Sequence, residues 1–296
     1  MMLVSVTRIG ALALALAAFQ YTSSKAAASP APSPSPSATT APADPCGGEQ
    51  RLLATLNRPT IGYSACAAAP GTVIFEEGFQ NTQQGSDNGT KSVLVQYPQS
   101  FIRYGVSPRF EVDLIGPYYN KLATPDGAGG LVRTHGYQDS GVGFKYEFVP
   151  SARYTIGVDG LYTAPNGSTG FTNGGATATG NLDIAYQITP TFGAGTTIAL
   201  SSTSGFDAMG RASRYTAFMP SAVLTTQLPD AYQLYAEYVY LNKLAPDQGG
   251  RAFVDYGVQH LFGKRFEIDV ELGETITPNP TQKFTYFGFG FGFQLR

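Results

Sequence analysis

From residue 71 to the C-terminus apolar and polar side chains alternate, the period of two that sends successive residues to opposite faces of a β-strand. Arg265 to Gly273 sets Phe266, Ile268, Val270 and Leu272 on one face and Arg265, Glu267, Asp269 and Glu271 on the other. Arg109 to Leu114 and Val142 to Phe148 repeat the scheme, as do stretches within 154–162, 182–188, 192–200, 232–240 and 252–262. Five connections are short and carry Pro or Gly, at Pro108, Pro150, Pro190, Pro229 and Gly263. The others are long and rich in Gly, Asn, Ser and Asp, at about 84–90, 117–137, 164–176, 202–212, 243–251 and 275–282. Short turns at one end and long loops at the other are the signature of a transmembrane, up-and-down antiparallel β-barrel.

The pattern predicts twelve strands, at 71–83, 91–106, 108–116, 138–149, 152–163, 177–189, 191–201, 213–228, 231–242, 252–262, 265–275 and 282–296. An even number returns both chain ends to the short-turn side, the periplasmic side of an outer-membrane barrel. The first two strands alternate poorly and Pro98 interrupts the second, so counts from ten to fourteen fit the same pattern. Tyr104, Phe110, Phe148, Tyr154, Phe262 and Phe266 fall near strand ends, where an aromatic girdle belongs.

Composition separates this class from its competitors. Only 14% of the 296 residues are charged, with 35 Gly and aromatics at 12% without Trp, against about 25% charged in soluble domains. A hydrophobic content of 43% is too high for a disordered chain. No apolar run after the N-terminus reaches the roughly 18 residues of a spanning helix. A net charge of −2 offers no electrostatic case for nucleic acid.

Residues 1–28 read as a secretory signal, with Arg8 as the positive region, Ile9 to Phe19 as the apolar region and Ala26-Ala27-Ala28 as the cleavage site. Residues 29–45, rich in Pro, Ser and Ala, read as an extended tether. Cys46 and Cys66 are the only cysteines, in a chain routed through an oxidising compartment, and are expected to pair. They would close residues 46–70 into a small periplasmic segment, whose GEQRLLATLNRP could form a short helix with Leu52, Leu53 and Leu56 on one side.

If the apolar face meets lipid, the other face lines the interior. Arg103, Arg109, Glu111, Lys145, Glu147, Arg153, Glu267 and Asp269 are then candidates for a lumen constriction near the short turns. Simple hairpin register sets Arg103 opposite Glu111 and Glu147 opposite Arg153. Such a set either selects permeants or fills a narrow barrel with salt bridges. Gly288, Gly290 and Gly292 alternate with phenylalanines in the last strand; this stripe widens the bore, admits the N-terminal segment closely, or bends the strand.

Catalysis finds no support. His135 falls in a long loop and His260 on the lipid side, no G-x-S-x-G motif occurs, and metal-ligand spacings are absent. No catalytic residue, metal or cofactor is assigned.

YPQSFIRYGVSPRFEVDLIG, GYQDSGVGFKYEFVPSARYTIGVDG and the Gly/Phe-rich last strand resemble the outer-membrane "MetA-pathway of phenol degradation" family over residues 71–296. The resemblance implies a Gram-negative outer-membrane barrel that is transporter-like and takes up aromatic or other hydrophobic compounds. No site residue carries over. One departure is the ending Gln294-Leu295-Arg296, where outer-membrane barrels generally finish on an aromatic residue read by the assembly machinery. The expected partners are outer-membrane lipid and lipopolysaccharide, the barrel-assembly machinery and a small-molecule permeant. A closed barrel acting through its long loops, chiefly 117–137, is the alternative.

Overall fold

Between Phe266 and Thr275 the polarity of a soluble protein is inverted. Glu267, Asp269 and Glu271 are buried, whereas Ile268, Val270 and Leu272 are 41%, 38% and 42% exposed. The same inversion recurs around the molecule, with large apolar side chains outside and ionisable ones inside. An apolar belt facing outward is suited to hydrocarbon and unsuited to water.

The computed structural model describes residues 44–85, 91–207, 209–276 and 283–295. The signal at 1–28, the tether as far as residue 43, the predicted loop residues 86–90 and 277–282, and Arg296 lie outside the described residues. A short helix, α1 (Arg51–Thr55), precedes fifteen strands. These are β1 (Val73–Gly85), β2 (Lys91–Tyr97), β3 (Phe101–Ser107), β4 (Phe110–Ile115), β5 (Tyr119–Pro125), β6 (Leu131–Tyr137), β7 (Gly141–Ser151) and β8 (Tyr154–Thr163). There follow β9 (Thr177–Gln187), β10 (Phe192–Phe206), β11 (Ala212–Leu228), β12 (Tyr232–Ala245), β13 (Gln248–Phe262), β14 (Phe266–Thr275) and β15 (Phe284–Leu295).

All fifteen belong to one antiparallel sheet that closes where β1 pairs with β15, from Val73 opposite Leu295 to Gln84 opposite Phe284. They make twelve staves, because β2 with β3, β4 with β5 and β6 with β7 are halves of single staves. Pro98 and Pro117 fall in the first two breaks, and neither residue can donate to the ladder. Single bonds carry the ladder across: Gln99 N–H to the Gly78 carbonyl (2.8 Å), Gly116 N–H to Ser100 (2.8 Å) and Gln138 N–H to Tyr118 (2.8 Å).

The predicted strands and short turns hold, while three long loops shorten. Residues 117–137 contain the hairpin β5–β6, and β10 continues to Phe206. At 243–251, β12 and β13 run on to a turn at Pro246 and Asp247. These segments lie beyond the belt, where neither face must be apolar, so alternation fades although the backbone still pairs. His135 is therefore a strand residue, opposite Lys121. His260 stacks on Tyr232 at 4.0 Å between centroids, on the outer face near the turns. Tyr104, Phe148, Tyr154 and Phe262 are exposed on that face at the turn end.

Candidate functional site: the plugged bore

Residues 46–70, expected as a separate periplasmic segment, lie inside the barrel. The chain that leads into β1 enters the bore at the turn end, and Leu52, Leu53, Leu56, Cys66, Ala67 and Ala68 are buried there. The expected disulfide between Cys46 and Cys66 is present, with an S–S distance of 2.04 Å. A plug of this length has too little apolar area to fold alone, and here the barrel wall supplies its core.

The contacts form layers. At the turn end, Leu52, Leu53, Leu56 and Ala68 pack against Ile74 of β1 and Leu261 of β13. Above them is an ionic layer. Arg103 Nη2 lies 2.7 Å from Glu111 Oε1 and Arg103 Nη1 lies 3.3 Å from Glu76 Oε1, with all three side chains fully buried. Arg103 also donates to the carbonyls of Thr55 and Cys66 in the plug. Lys145 stands 3.9 Å from Glu111 and donates to the Ser64 carbonyl. On the other flank, Arg58 Nη2 reaches Asp269 Oδ1 at 3.0 Å and Glu271 Oε1 at 3.4 Å. Burial works to lower the Arg58 pKa, but Asp269 and Glu271 outweigh it and hold the guanidinium above its usual range.

Carboxylates of the wall also accept plug amides directly. Glu76 takes the N–H groups of Asn57 (2.9 Å) and Arg58 (2.8 Å), and Glu147 takes that of Ala67 (2.7 Å). Glu111 takes Ala68 N–H. Glu237 takes Ile61 N–H (2.7 Å) and Gly62 N–H (2.9 Å) at the innermost tip. Beyond the tip, Ile61 meets an apolar layer of Val239, Phe253, Phe284 and Tyr286. A buried carboxylate is tolerated when such donors satisfy it, so the wall charges and the plug backbone need one another.

The glycine stripe makes room for the plug. A Cβ at Gly290 would collide with Arg58, at Gly292 with Leu56 and at Gly288 with Glu271. Of the three readings the stripe allowed, close approach of the N-terminal segment is the one the contacts carry. The other side of the bore is looser. A cleft of about 130 Å³ runs between the plug and the inner faces of β9 to β12, past Gly193, Gly195 and Thr225. A second cavity of about 220 Å³ lies beyond the tip, bounded by Ile61, Tyr63, Leu161, Asn181, Met219 and Leu241.

Of the eight candidate constriction residues, Arg103, Glu111, Lys145, Glu147, Glu267 and Asp269 are buried in the bore. Arg109 and Arg153 are not among them; both are exposed in short turns. Register shifts between Gly105 and Ser107 and between Phe148 and Ser151 end the alternation before either arginine is reached. The ladder sets Arg103 opposite Asp113 and Glu147 opposite Gly157, in place of the simple hairpin register. Arg103 and Glu111 nonetheless meet, along the diagonal. Arg58 and Glu76 join the site without having been candidates, and so does Glu237, which the alternation over 232–240 had turned inward without its being placed in the constriction. The available signal was the surplus of inward carboxylates, which left Arg58 as a cation in search of a partner.

No protein-family model matches the chain, and no curated protein matches it. Among solved structures the barrel resembles the COG4313 outer membrane channel from Pseudomonas putida F1, with TM-score 0.56 and 13% identity over 78% of this chain and 98% of that one. It also resembles the NanC porin, with TM-score 0.51 and 11% identity over 75% of this chain and all of the other. The likeness is one of fold.

Proposed function

We propose that the chain is a passive outer-membrane channel for small hydrophobic or aromatic molecules, with the turn end, where the plug enters and the C-terminus lies, facing the periplasm. The observation that carries the reading is the way the bore is filled. A barrel built only as a closed scaffold can pack its interior with its own side chains. Here the filling is a separate segment, held by ion pairs and amide-carboxylate bonds, with cavities on its β9 to β12 side and beyond its tip. The apolar outer belt supports placement in a bilayer, and the shared fold with outer-membrane channels supports the transport role. The resemblance to the phenol-degradation barrel family supports the choice of permeant. Outer-membrane lipid, lipopolysaccharide and the barrel-assembly machinery are the partners this reading entails, and it involves no catalytic step.

The second reading, a closed barrel acting through its extracellular loops, is favoured by the depth of the plug. Single-channel recording of the refolded protein in planar bilayers, with liposome uptake of aromatic and sugar-like solutes, separates the two. Steady conductance that changes in Glu267→Ala and Asp269→Ala supports the channel. Silence from folded protein in both assays transfers the function to the loops.

A further inference from the structure

Apart from Glu237 on β12, which holds the tip, the wall charges around the plug sit on one arc of the barrel. Asp269 and Glu271 on β14 pair with Arg58 of the plug, and Arg103 on β3, Glu76 on β1, Glu111 on β4 and Lys145 on β7 pair among themselves beside it, while Glu49 of the plug meets Lys264 in the exposed β13–β14 turn. Across the bore, the turn-end inward positions of β9 to β11 are uncharged: Ala185, Gln187, Gly193, Gly195, Val223 and Thr225. The cleft lies against this neutral arc and reaches the turn-end rim at Pro45 and Gln187.

The cleft and the cavity beyond the tip share Tyr63 and Thr197. What separates them is the plug tip. Gly62 is pinned by Glu237 and pressed so close to Ser221, Glu237 and Thr197 that no Cβ fits. The far cavity is mainly apolar, yet Asn181 turns into it a carbonyl oxygen with no hydrogen-bond partner, its amide nitrogen donating to Asp159 at 2.6 Å. Asn181 is 4% exposed, and a buried acceptor left unpaired there is a docking point for a solute that donates one hydrogen bond.

We propose that uncharged solutes pass with the plug seated, along the neutral arc, and that the contact of Gly62 with Ser221 and Glu237 is the gate. The charged arc is then the anchor of the plug and takes no part in selection. The proposal rests on the channel reading and adds the route to it. An anionic solute would find no free cation on this path, because Arg58 beside the cleft is taken by Asp269 and Glu271 and the inner end is bordered by Glu237 and Asp183, and leaving water there is costly; a small polyol carries no such charge.

The test uses the full chain in liposomes, with erythritol and the similarly sized anion erythronate as probes and heat-modifiable mobility as the check on folding. Wild type is expected to admit erythritol at least tenfold faster than erythronate. Thr225→Trp, which fills the cleft, and Gln227→Trp at its mouth are each expected to cut erythritol entry at least tenfold. Glu237→Ala, which frees the tip, is expected to raise it. A thiol placed by Thr55→Cys is expected to stay unlabelled during flux, because the plug does not leave. If wild type conducts but both tryptophan variants conduct equally well, or if that thiol labels as fast as solute enters, the route is overturned and the channel stands. If wild type and Glu237→Ala both admit neither probe, the route is overturned, and if they are silent to aromatic solutes and in planar bilayers as well, the channel reading falls with it.

Discussion

Arg103 and Glu111 are joined along a diagonal of the ladder, with Nη2 to Oε1 at 2.7 Å, although the residue directly opposite Arg103 is Asp113. The diagonal leaves the other oxygen of Glu111 free to hold Ala68 of the plug. Replacing Arg103 by Met would strand Glu111 and Glu76 in the bore without their cation. Removing one partner of a buried pair costs about 3–5 kcal/mol. Urea unfolding of Arg103→Met in detergent, followed by loss of the compact electrophoretic form, is expected to shift by that amount. In a double-mutant cycle with Glu111→Gln, the two changes should fail to add by roughly 0.5–3 kcal/mol.

Arg58 is the cation through which the plug itself pairs with β14. In Arg58→Ala the tip keeps its bonds to Glu76 and Glu237 through backbone amides but loses its ionic anchor. Protease added at the turn-end mouth is expected to cut within residues 44–70 faster than in wild type, while the barrel remains resistant. An unchanged cutting rate would mean that the backbone bonds alone hold the plug.

The Cys46–Cys66 bridge lies within the plug and touches no covalent feature of the wall. Closing a loop of about 20 residues restricts the free segment by roughly 3 kcal/mol in the chain-entropy model. Cys46→Ser with Cys66→Ser is therefore expected to loosen the plug and leave barrel stability nearly unchanged. Limited proteolysis reads the first effect and urea unfolding of the barrel the second. Equal loss in both would show that plug and wall unfold as one unit.

Gly290 and Gly180 make a matched pair of substitutions. A Cβ at Gly290 meets Arg58 and the Glu77 backbone, whereas one at Gly180 meets nothing within 4 Å. Gly290→Val is expected to displace the plug and raise conductance severalfold. Gly180→Val, an exposed position, is expected to stay within about 0.5 kcal/mol of wild type. Planar-bilayer recording and urea unfolding of the two variants decide the matter.

The barrel was legible because a membrane-facing strand must keep its parity over its whole length. Phe266 to Leu272 shows that parity without a break, and so gives both the strand and its inward charges. Parity failed where that demand lapses. Tyr119 to Pro125 and Leu131 to Tyr137 pair beyond the apolar belt, so nothing forces one of their faces to be apolar. Arg109 and Arg153 sit past register shifts that reset the count. The seat of the plug was harder to read, since it depends on contacts between residues far apart in the chain, such as Arg58 with Asp269. Gly290 was the trace it left, a missing side chain whose reason lay some 230 positions earlier, at Arg58.

β1 follows the plug directly and forms the seam with β15, the first strand of the barrel meeting the last. The glycines that accept Arg58 and Leu56, Gly78 on β1 and Gly290 and Gly292 on β15, belong to those same two strands. Arg58 thus threads a groove whose two sides are made by the two ends of the sheet. A barrel still open at that seam has only half of the groove, and a barrel already shut admits the segment only through its mouth. Closing the seam and seating Arg58 therefore complete one and the same groove.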